Sequence, residues 1–204
     1  PQHRKLLEGR EYEVLSDPVF SRASDTQSPQ GILCLVKMSD HDPAGLLGNA
    51  ASDSLWLVLE NVQDPGNLGT MFRTGEGAGI SGVIMDRNTA DIYNPKTIRS
   101  TMGSVFRVAF SIVDSLADAV KLLRERQIRI CAAHLEGSVC YDEPDYTSGT
   151  AFLIGNEGNG LTDEAAALAD VNIRIPMEGQ LESLNAAMAA GILMYEASRQ
   201  RRRR

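Results

Sequence analysis

The chain has 204 residues, 43% of them hydrophobic and 23% charged, with a formal net charge of −7 at pH 7. These are ordinary globular values and enough chain for one α/β domain with a short appendage, which excludes disordered and fibrous classes. Five of the positive charges fall in the last six residues (Arg199 and Arg201 to Arg204), so the body is more acidic than the total, and charge alone does not point to a nucleic-acid partner.

Residues 1–53 are mixed. The chain begins Pro1-Gln2-His3-Arg4-Lys5, which has no apolar signal-peptide core and reads as the start of a piece of something longer. Turn-forming stretches surround one apolar run, Gly31 to Val36, which reads as a strand or a linker remnant with too little apolar surface to fold alone. From residue 54 the pattern becomes regular. Leu55 to Val62 reads as a buried strand, and Leu68, Met71, Phe72 and Gly75 mark a helical face. Gly82 to Asp86 is a strand, Asn94-Pro95 opens a helix, and Arg107 to Val113 is a strand. Ser115 caps an amphipathic helix with Leu116, Val120 and Leu123 inward. Ile128 to Leu135, Ala151 to Ile154 and Val171 to Ile175 are strands; Thr162 caps a helix through Ala169, and Ser183 caps a long last helix. Strands alternating with helices predict an α/β fold, a mostly parallel sheet covered on both faces. No apolar run approaches the ~20 residues of a membrane span.

Ligands of such sheets sit beyond the carboxyl ends of the strands, and three loops there have unusual composition. The first is Asn61-Val62-Gln63-Asp64-Pro65-Gly66-Asn67, leading to Arg73 in the following helix. By themselves Asn61, Asp64 and Asn67 are equally turn and capping residues, and Arg73 a surface cation. Gly75-Glu76-Gly77-Ala78-Gly79 mimics a dinucleotide fingerprint, but it follows a helix and precedes a strand, the reverse of what the fingerprint needs. Gly77 and Gly79 therefore read as a helix C-cap and close packing, which disfavours Rossmann dehydrogenases and Rossmann-like methyltransferases alike.

The second loop, Ile154-Gly155-Asn156-Glu157-Gly158-Asn159-Gly160-Leu161, has three glycines that let backbone approach a ligand, and no Lys-Ser or Lys-Thr of a phosphate loop. Its only ionisable side chain, Glu157, repels polyphosphate and suits a cationic or hydroxyl-bearing ligand; a tight turn into the next helix is the plainer alternative. The third loop, Ile175-Pro176-Met177 through Ser183-Leu184-Asn185, ends a strand at proline and brings small polar groups to a helix N-terminus. The helix beyond it, Ala186 to Tyr195, is apolar on nearly every side, so a second subunit is expected to cover the face the sheet does not.

Together the loops resemble the three motifs of the SpoU/TrmH-type branch of the SPOUT superfamily, the RNA 2′-O-ribose methyltransferases. Asn61-x-x-Asp64-x-x-Asn67-x-Gly69-x-x-x-Arg73 matches the first, Ile154 to Leu161 the second and Ile175 to Ala187 the third. The resemblance implies a catalytic domain at 54–204 after a remnant of an N-terminal substrate-binding domain and linker at 1–53, the Ser28 to Ile32 stretch being similar to that linker. It implies a deep C-terminal trefoil knot, an exception to unknotted topology, and S-adenosylmethionine held by backbone around Leu135, Glu136, Gly137, Ile154, Gly155, Asn156, Gly158, Ile175, Pro176, Met177 and Leu184. Arg73 matches the family's catalytic arginine and Asn67 the asparagine supporting the first loop; Glu157, Ser183 and Asn185 match the polar residues around the reacting centre. Arg99 to Arg107 resembles the loop that approaches substrate. A homodimer acting on RNA, ribosomal in preference to transfer RNA, is implied, and no metal or membrane partner.

A ribose hydroxyl is a poor nucleophile and must lose its proton at or before attack. The family account gives this to the arginine, although guanidinium essentially never deprotonates; the other reading has Arg73 paired with the adjacent phosphate, with water or Glu157 accepting the proton. A non-catalytic relative using the same pocket is the rival class. A hydrolase or dehydrogenase lacks its parts: there is no GxSxG, and His3, His41 and His134 are scattered, His134 reading as a strand-end residue or a cofactor-edge contact. Cys34, Cys131 and Cys140 are odd in number and lack CxxC spacing, which argues against disulfides or structural zinc and favours a cytoplasmic setting.

Overall fold

The computed structural model describes residues 7–24, 26–39, 41–48, 50–136 and 138–203. Gly137 and His3 lie outside the described residues, so the cofactor contact expected at Gly137 has no structural account. The chain forms two compact units, Pro1–Ser39 and Asp40–Arg204. The first contains helix α1 (Asp17–Ser24), none of whose residues is buried, and its apolar run Gly31 to Val36 forms no regular element.

The second unit carries α2 (Pro43–Leu47), a helix absent from the sequence expectations. Asp42 caps it with Pro43 at its start, and Leu47 is fully buried, which draws this segment into the larger unit although it lies before residue 53. Then come β1 (Leu55–Leu59), α3 (Pro65–Ala78), β2 (Gly82–Asp86), α4 (Pro95–Thr101), a 3₁₀ turn (Ser104–Phe106), β3 (Phe110–Val113), α5 (Leu116–Glu125), β4 (Arg129–Ala133), β5 (Val139–Cys140), β6 (Thr150–Ile154), α6 (Asp163–Ala166), β7 (Val171–Arg174) and α7 (Ala186–Arg202).

The strands form one seven-stranded sheet in the order β3-β2-β1-β6-β4-β7-β5, and every pairing is parallel. Alternation sorts the side chains onto two cores. Leu55, Leu57 and Leu59 of β1 and Phe152 and Ile154 of β6 join Leu68, Phe72, Leu193 and Met194 of α3 and α7. Trp56 and Val58 with Ala151 and Leu153 face Leu47, Val120, Leu123 and Ala165 of α2, α5 and α6. Helices therefore cover both faces, as expected.

The short strand β5 was not legible in the sequence. It matters topologically, because β7 slots between β4 and β5 although β4 runs directly into β5. Asn172 Nδ2 donates to Glu136 O (3.2 Å), and Arg174 Nη1 donates to Ser138 O, so Glu136 and Ser138 are both tied to the inserted strand.

One expectation about α7 is corrected. Its N-cap is Asn185, whose Oδ1 accepts from Ala187 N (2.9 Å) and Met188 N (3.2 Å), not Ser183; the chain stays extended for two further residues and the helix begins at Ala186. Its basic end stays helical through Arg202. Arg201, whose guanidinium is partly buried and whose basicity burial lowers, donates to Tyr146 O (2.9 Å), Ser148 O (2.8 Å) and Ser54 O (3.4 Å).

Candidate active site

The three unusual loops leave the carboxyl ends of β1, β6 and β7 and meet. Asp64 caps α3 by accepting from Asn67 N (2.8 Å), with Pro65 in the first helical position, so the helix starts two residues before Asn67. Glu157, projecting from the glycine loop after β6, accepts from Gln63 N (3.0 Å), Asp64 N (2.9 Å) and Asn67 Nδ2 (3.0 Å). Asn67 Oδ1 in turn accepts from Asn185 Nδ2 (2.9 Å).

Every amide orientation in this chain is determined by its neighbours. Asn185 must point its oxygen at the N-terminal amides of α7, which leaves its Nδ2 for Asn67; Asn67 must then offer its own Nδ2 to Glu157. The result is one directed run of hydrogen bonds from the start of α7, through the start of α3, to the glycine loop. Burial alone would raise the Glu157 carboxyl, but the bonds from Asn67, Gln63 and Asp64 outweigh it and hold the group below its ordinary value. It is an ionised clamp, which makes it a weak proton acceptor.

Asn156 binds the same loops from the other side. Its Nδ2 donates to Asn61 O (2.8 Å), while its Oδ1 accepts from Gly158 N (2.9 Å) and Asn159 N (3.1 Å). Its backbone pairs with Gly160 in both directions, and the loop closes so tightly that a Cβ on Gly155 would lie 2.3 Å from Gly160 C. Glu60, at the end of β1, accepts from Thr162 N (2.8 Å) and Thr162 Oγ1 (2.7 Å), anchoring the loop's exit at the start of α6.

Beside these loops is a cavity of about 420 Å³, a volume in the range of cofactor sites. Its wall combines aliphatic side chains (Leu135, Ile154, Leu161, Ile173, Ile175, Leu184) with glycine-loop backbone and the carboxylates Glu136, Glu157 and Glu182. An apolar slot edged with carboxylate fits a nucleoside carrying a sulfonium and excludes a polyphosphate, so the donor set agrees with S-adenosylmethionine.

Arg73 lies elsewhere. Six residues beyond Asn67, it is about 9 Å further along the helix axis; it is exposed, off the cavity wall, and makes no hydrogen bond or ion pair with a described residue. It shares a helix face with Gly69 and Glu76. A Cβ on Gly69 would lie 2.7 Å from Thr97 O, so α3 and α4 cross closely there. Glu76 pairs with Arg107, which donates through Nε and Nη2 (2.9 Å), and accepts from Ser104 Oγ (2.5 Å); the guanidinium, then the hydroxyl, bring its carboxyl down to about 2. The Arg99 to Arg107 segment is thus fastened beside Arg73, turning through consecutive left-handed residues Met102 (φ 51°) and Gly103 (φ 88°).

The sequence pattern of the SpoU rRNA Methylase family matches residues 54–195. The chain belongs to that family. It is 35% identical over 190 residues to the 23S rRNA (guanosine(2553)-2′-O)-methyltransferase RlmP of Bacillus subtilis, an alignment covering 93% of this chain and 73% of that relative. The AdoMet-bound rRNA methyltransferase from Sinorhizobium meliloti matches with a TM-score of 0.84 at 34% identity, over 90% of this chain and 70% of that one. The SpoU methyltransferase AviRb from Streptomyces viridochromogenes, in complex with AdoMet, matches at 0.77 and 32% identity, over 82% and 68%. Family membership and these matches carry the knotted SPOUT fold with them.

Of the site residues the SpoU motifs implied, Asn67, Glu157 and Asn185 are brought into contact, and Ser183 joins Glu157 on the cavity wall. Leu135, Glu136, Ile154, Gly155, Asn156, Gly158, Ile175, Met177 and Leu184 line the cavity; Pro176, between two of them, does not. His134 also lines it, beside the strand-end position expected of it. Glu60, Gln63 and Asp86 were missed. Glu60 and Asp86 are acidic residues at strand carboxyl ends, a signal that was available; Gln63 contributes a backbone amide, and no side-chain pattern marks it.

Proposed function

We propose that this SpoU protein transfers a methyl group from S-adenosylmethionine to a ribose 2′-hydroxyl of ribosomal RNA, acting in the cytoplasm as a homodimer. The observation that carries the reading is the directed run Asn185–Asn67–Glu157, which reaches an apolar, carboxylate-edged cavity at Glu157 and prebuilds the junction of all three family motifs. The names of the B. subtilis and S. meliloti relatives favour ribosomal RNA. Three free cysteines, one of them exposed, favour a reducing compartment. No helix among the described residues is long and apolar enough to cross a membrane.

The cavity residues proposed to hold the cofactor are those named above, and when bound it supplies an electrophilic methyl group on sulfur. Glu157 keeps the first loop seated against the glycine loop, and Ser183 and Asn185 present small polar groups where the ribose approaches. Arg73, with no partner among the described residues, forks onto the phosphate beside the target ribose and stabilises the alkoxide as it develops. Because guanidinium keeps its proton and the hydrogen bonds to Glu157 hold it below its ordinary value, the hydroxyl proton leaves to water. The homodimer is supported by the stripe Met188, Ile192 and Tyr195 on α7, where Met188 is 59% and Tyr195 47% exposed.

Calorimetric titration of S-adenosylmethionine and S-adenosylhomocysteine, with mass in solution and transfer of labelled methyl to ribosomal RNA, tests this. Binding to a dimer with label at a ribose supports it. Binding without transfer to any ribosomal RNA makes the chain a non-catalytic relative, and no binding by a folded dimer removes the cofactor assignment.

A further inference from the structure

Asp86, at the carboxyl end of β2, lies outside all three family motifs, yet it holds the residue that opens the first of them. Asn61 has φ 53°, a left-handed conformation that residues other than glycine rarely adopt and that asparagine takes where local hydrogen bonds hold it. That support is complete. Asn61 N donates to Asp86 Oδ1 (3.0 Å), Asn61 O accepts from Asn156 Nδ2 (2.8 Å), and Asn61 Oδ1 accepts from Gln63 Nε2 (3.0 Å). The same Asp86 oxygen accepts from Thr89 N (2.9 Å) and Thr89 Oγ1 (2.8 Å), and Ala90 N donates to Val62 O (2.8 Å), so the exits of β1 and β2 are stapled to each other.

The left-handed turn swings the chain off β1 toward the glycine loop. Only then do the amides of Gln63 and Asp64 and the side chain of Asn67 converge on Glu157.

We propose that Asp86 is a positioning residue for methyl transfer, acting through Asn61. It holds the left-handed turn that seats the first motif, and with it Asn67 and α3, against the cofactor loop. Gripped at N and O by groups from β2 and the glycine loop, Asn61 is the point where those two elements meet. The inference rests on the methyltransferase reading for its kinetic consequence but not for its structural one, so the two are measured separately.

The experiment compares Asp86→Ala, Asp86→Asn and the double variant Asp86→Ala/Asn61→Gly with the parent, by steady-state methyl transfer to ribosomal RNA and by hydrogen exchange of the amides of residues 61, 63 and 64. Asparagine keeps an oxygen where Oδ1 stands; alanine removes it; glycine at 61 takes a positive φ without support. Asp86→Ala is expected to lower kcat by about 10- to 100-fold with KM for RNA within about threefold, as displaced catalytic groups do. Exchange at 61, 63 and 64 should accelerate about tenfold or more, since the amide of 61 loses its acceptor and those of 63 and 64 are no longer held against Glu157. Asp86→Asn should stay within about threefold of the parent, and the double variant should recover part of the loss.

Unchanged kcat and unchanged exchange in a folded Asp86→Ala would overturn the proposal. So would a loss of activity that neither Asp86→Asn nor Asn61→Gly restores, because that is general destabilisation. If the parent transfers no methyl group, the methyltransferase reading fails, and the exchange pattern alone still decides what Asp86 holds.

Discussion

Replacing Glu157 by glutamine tests the clamp with the smallest change of shape. The glutamine oxygen can take the place of Oε1, which serves Asp64 N at 2.9 Å and Asn67 Nδ2 at 3.0 Å, but its amide nitrogen then faces Gln63 N, another donor, across a 3.0 Å contact. One charge-assisted hydrogen bond is lost and two become neutral; allowing for partial solvent access, this costs about 2 kcal/mol. That is roughly 30-fold in the population of the seated loop. The expected result is a kcat about 10- to 30-fold lower, with S-adenosylmethionine affinity changed only a few-fold because aliphatic groups and backbone make most of the cavity wall. Glu157→Ala should lose more.

The same contact has a pH signature. Because the folded-state carboxyl sits below its ordinary value near 4.5, its stabilisation is complete above that value and is lost as pH falls through the lower folded value. Parent and Glu157→Gln should therefore converge in stability as pH drops below about 4.5 and stay parallel above it. Steady-state kinetics with labelled cofactor and thermal unfolding against pH read both effects. A Glu157→Gln enzyme with kcat within twofold of the parent would refute the clamp.

Arg73→Lys should lower kcat/KM by about 100-fold with cofactor affinity unchanged, because a point charge cannot fork onto phosphate; near-normal turnover would remove the arginine from the chemistry. Gly69→Ala places a methyl group 2.4 Å from Ser100 Cβ and 2.7 Å from Thr97 O. Such overpacking costs about 1–3 kcal/mol and should lower Tm by about 3–10 °C in a scan of the folded chain. Cys131 is buried, and burial pushes its thiol up to about 12, whereas Cys34 is exposed; a thiol reagent near pH 8 should modify Cys34 in the native protein and reach Cys131 only on unfolding. Met188→Glu puts a charge in the exposed α7 stripe. Sedimentation should show a folded monomer, and a dimer of undiminished affinity would mean the stripe is not the interface.

Much of the local structure was readable because its causes are local. Pro65 in a helix's first turn, Asn94 before Pro95, Ser115 and Thr162 at helix starts, and the left-handed C-cap Gly79 act within three or four residues of chain. The buried strands were legible for a similar reason: β1 and β6 are covered on both faces, so Leu55–Leu59 and 151–154 are unbroken apolar runs. The polar residues of the site could be named from motif spacing, but not what each one holds.

Those roles depend on contacts that span most of the chain. Asn67 and Glu157 are 90 positions apart, and Asn67 and Asn185 are 118. Ser183 and Asn185 are both good caps by residue type; it is Asn185 that caps α7 and donates to Asn67. Strand β5 has too few residues to show a pattern, and its place in the sheet is decided by β7 pairing beside it. Glu60 and Asp86 acquire meaning only when the sheet brings the ends of β1, β2 and β6 together. A capping box is written in adjacent residues, whereas a hydrogen bond between loops exists only after strand order has set which loops are neighbours.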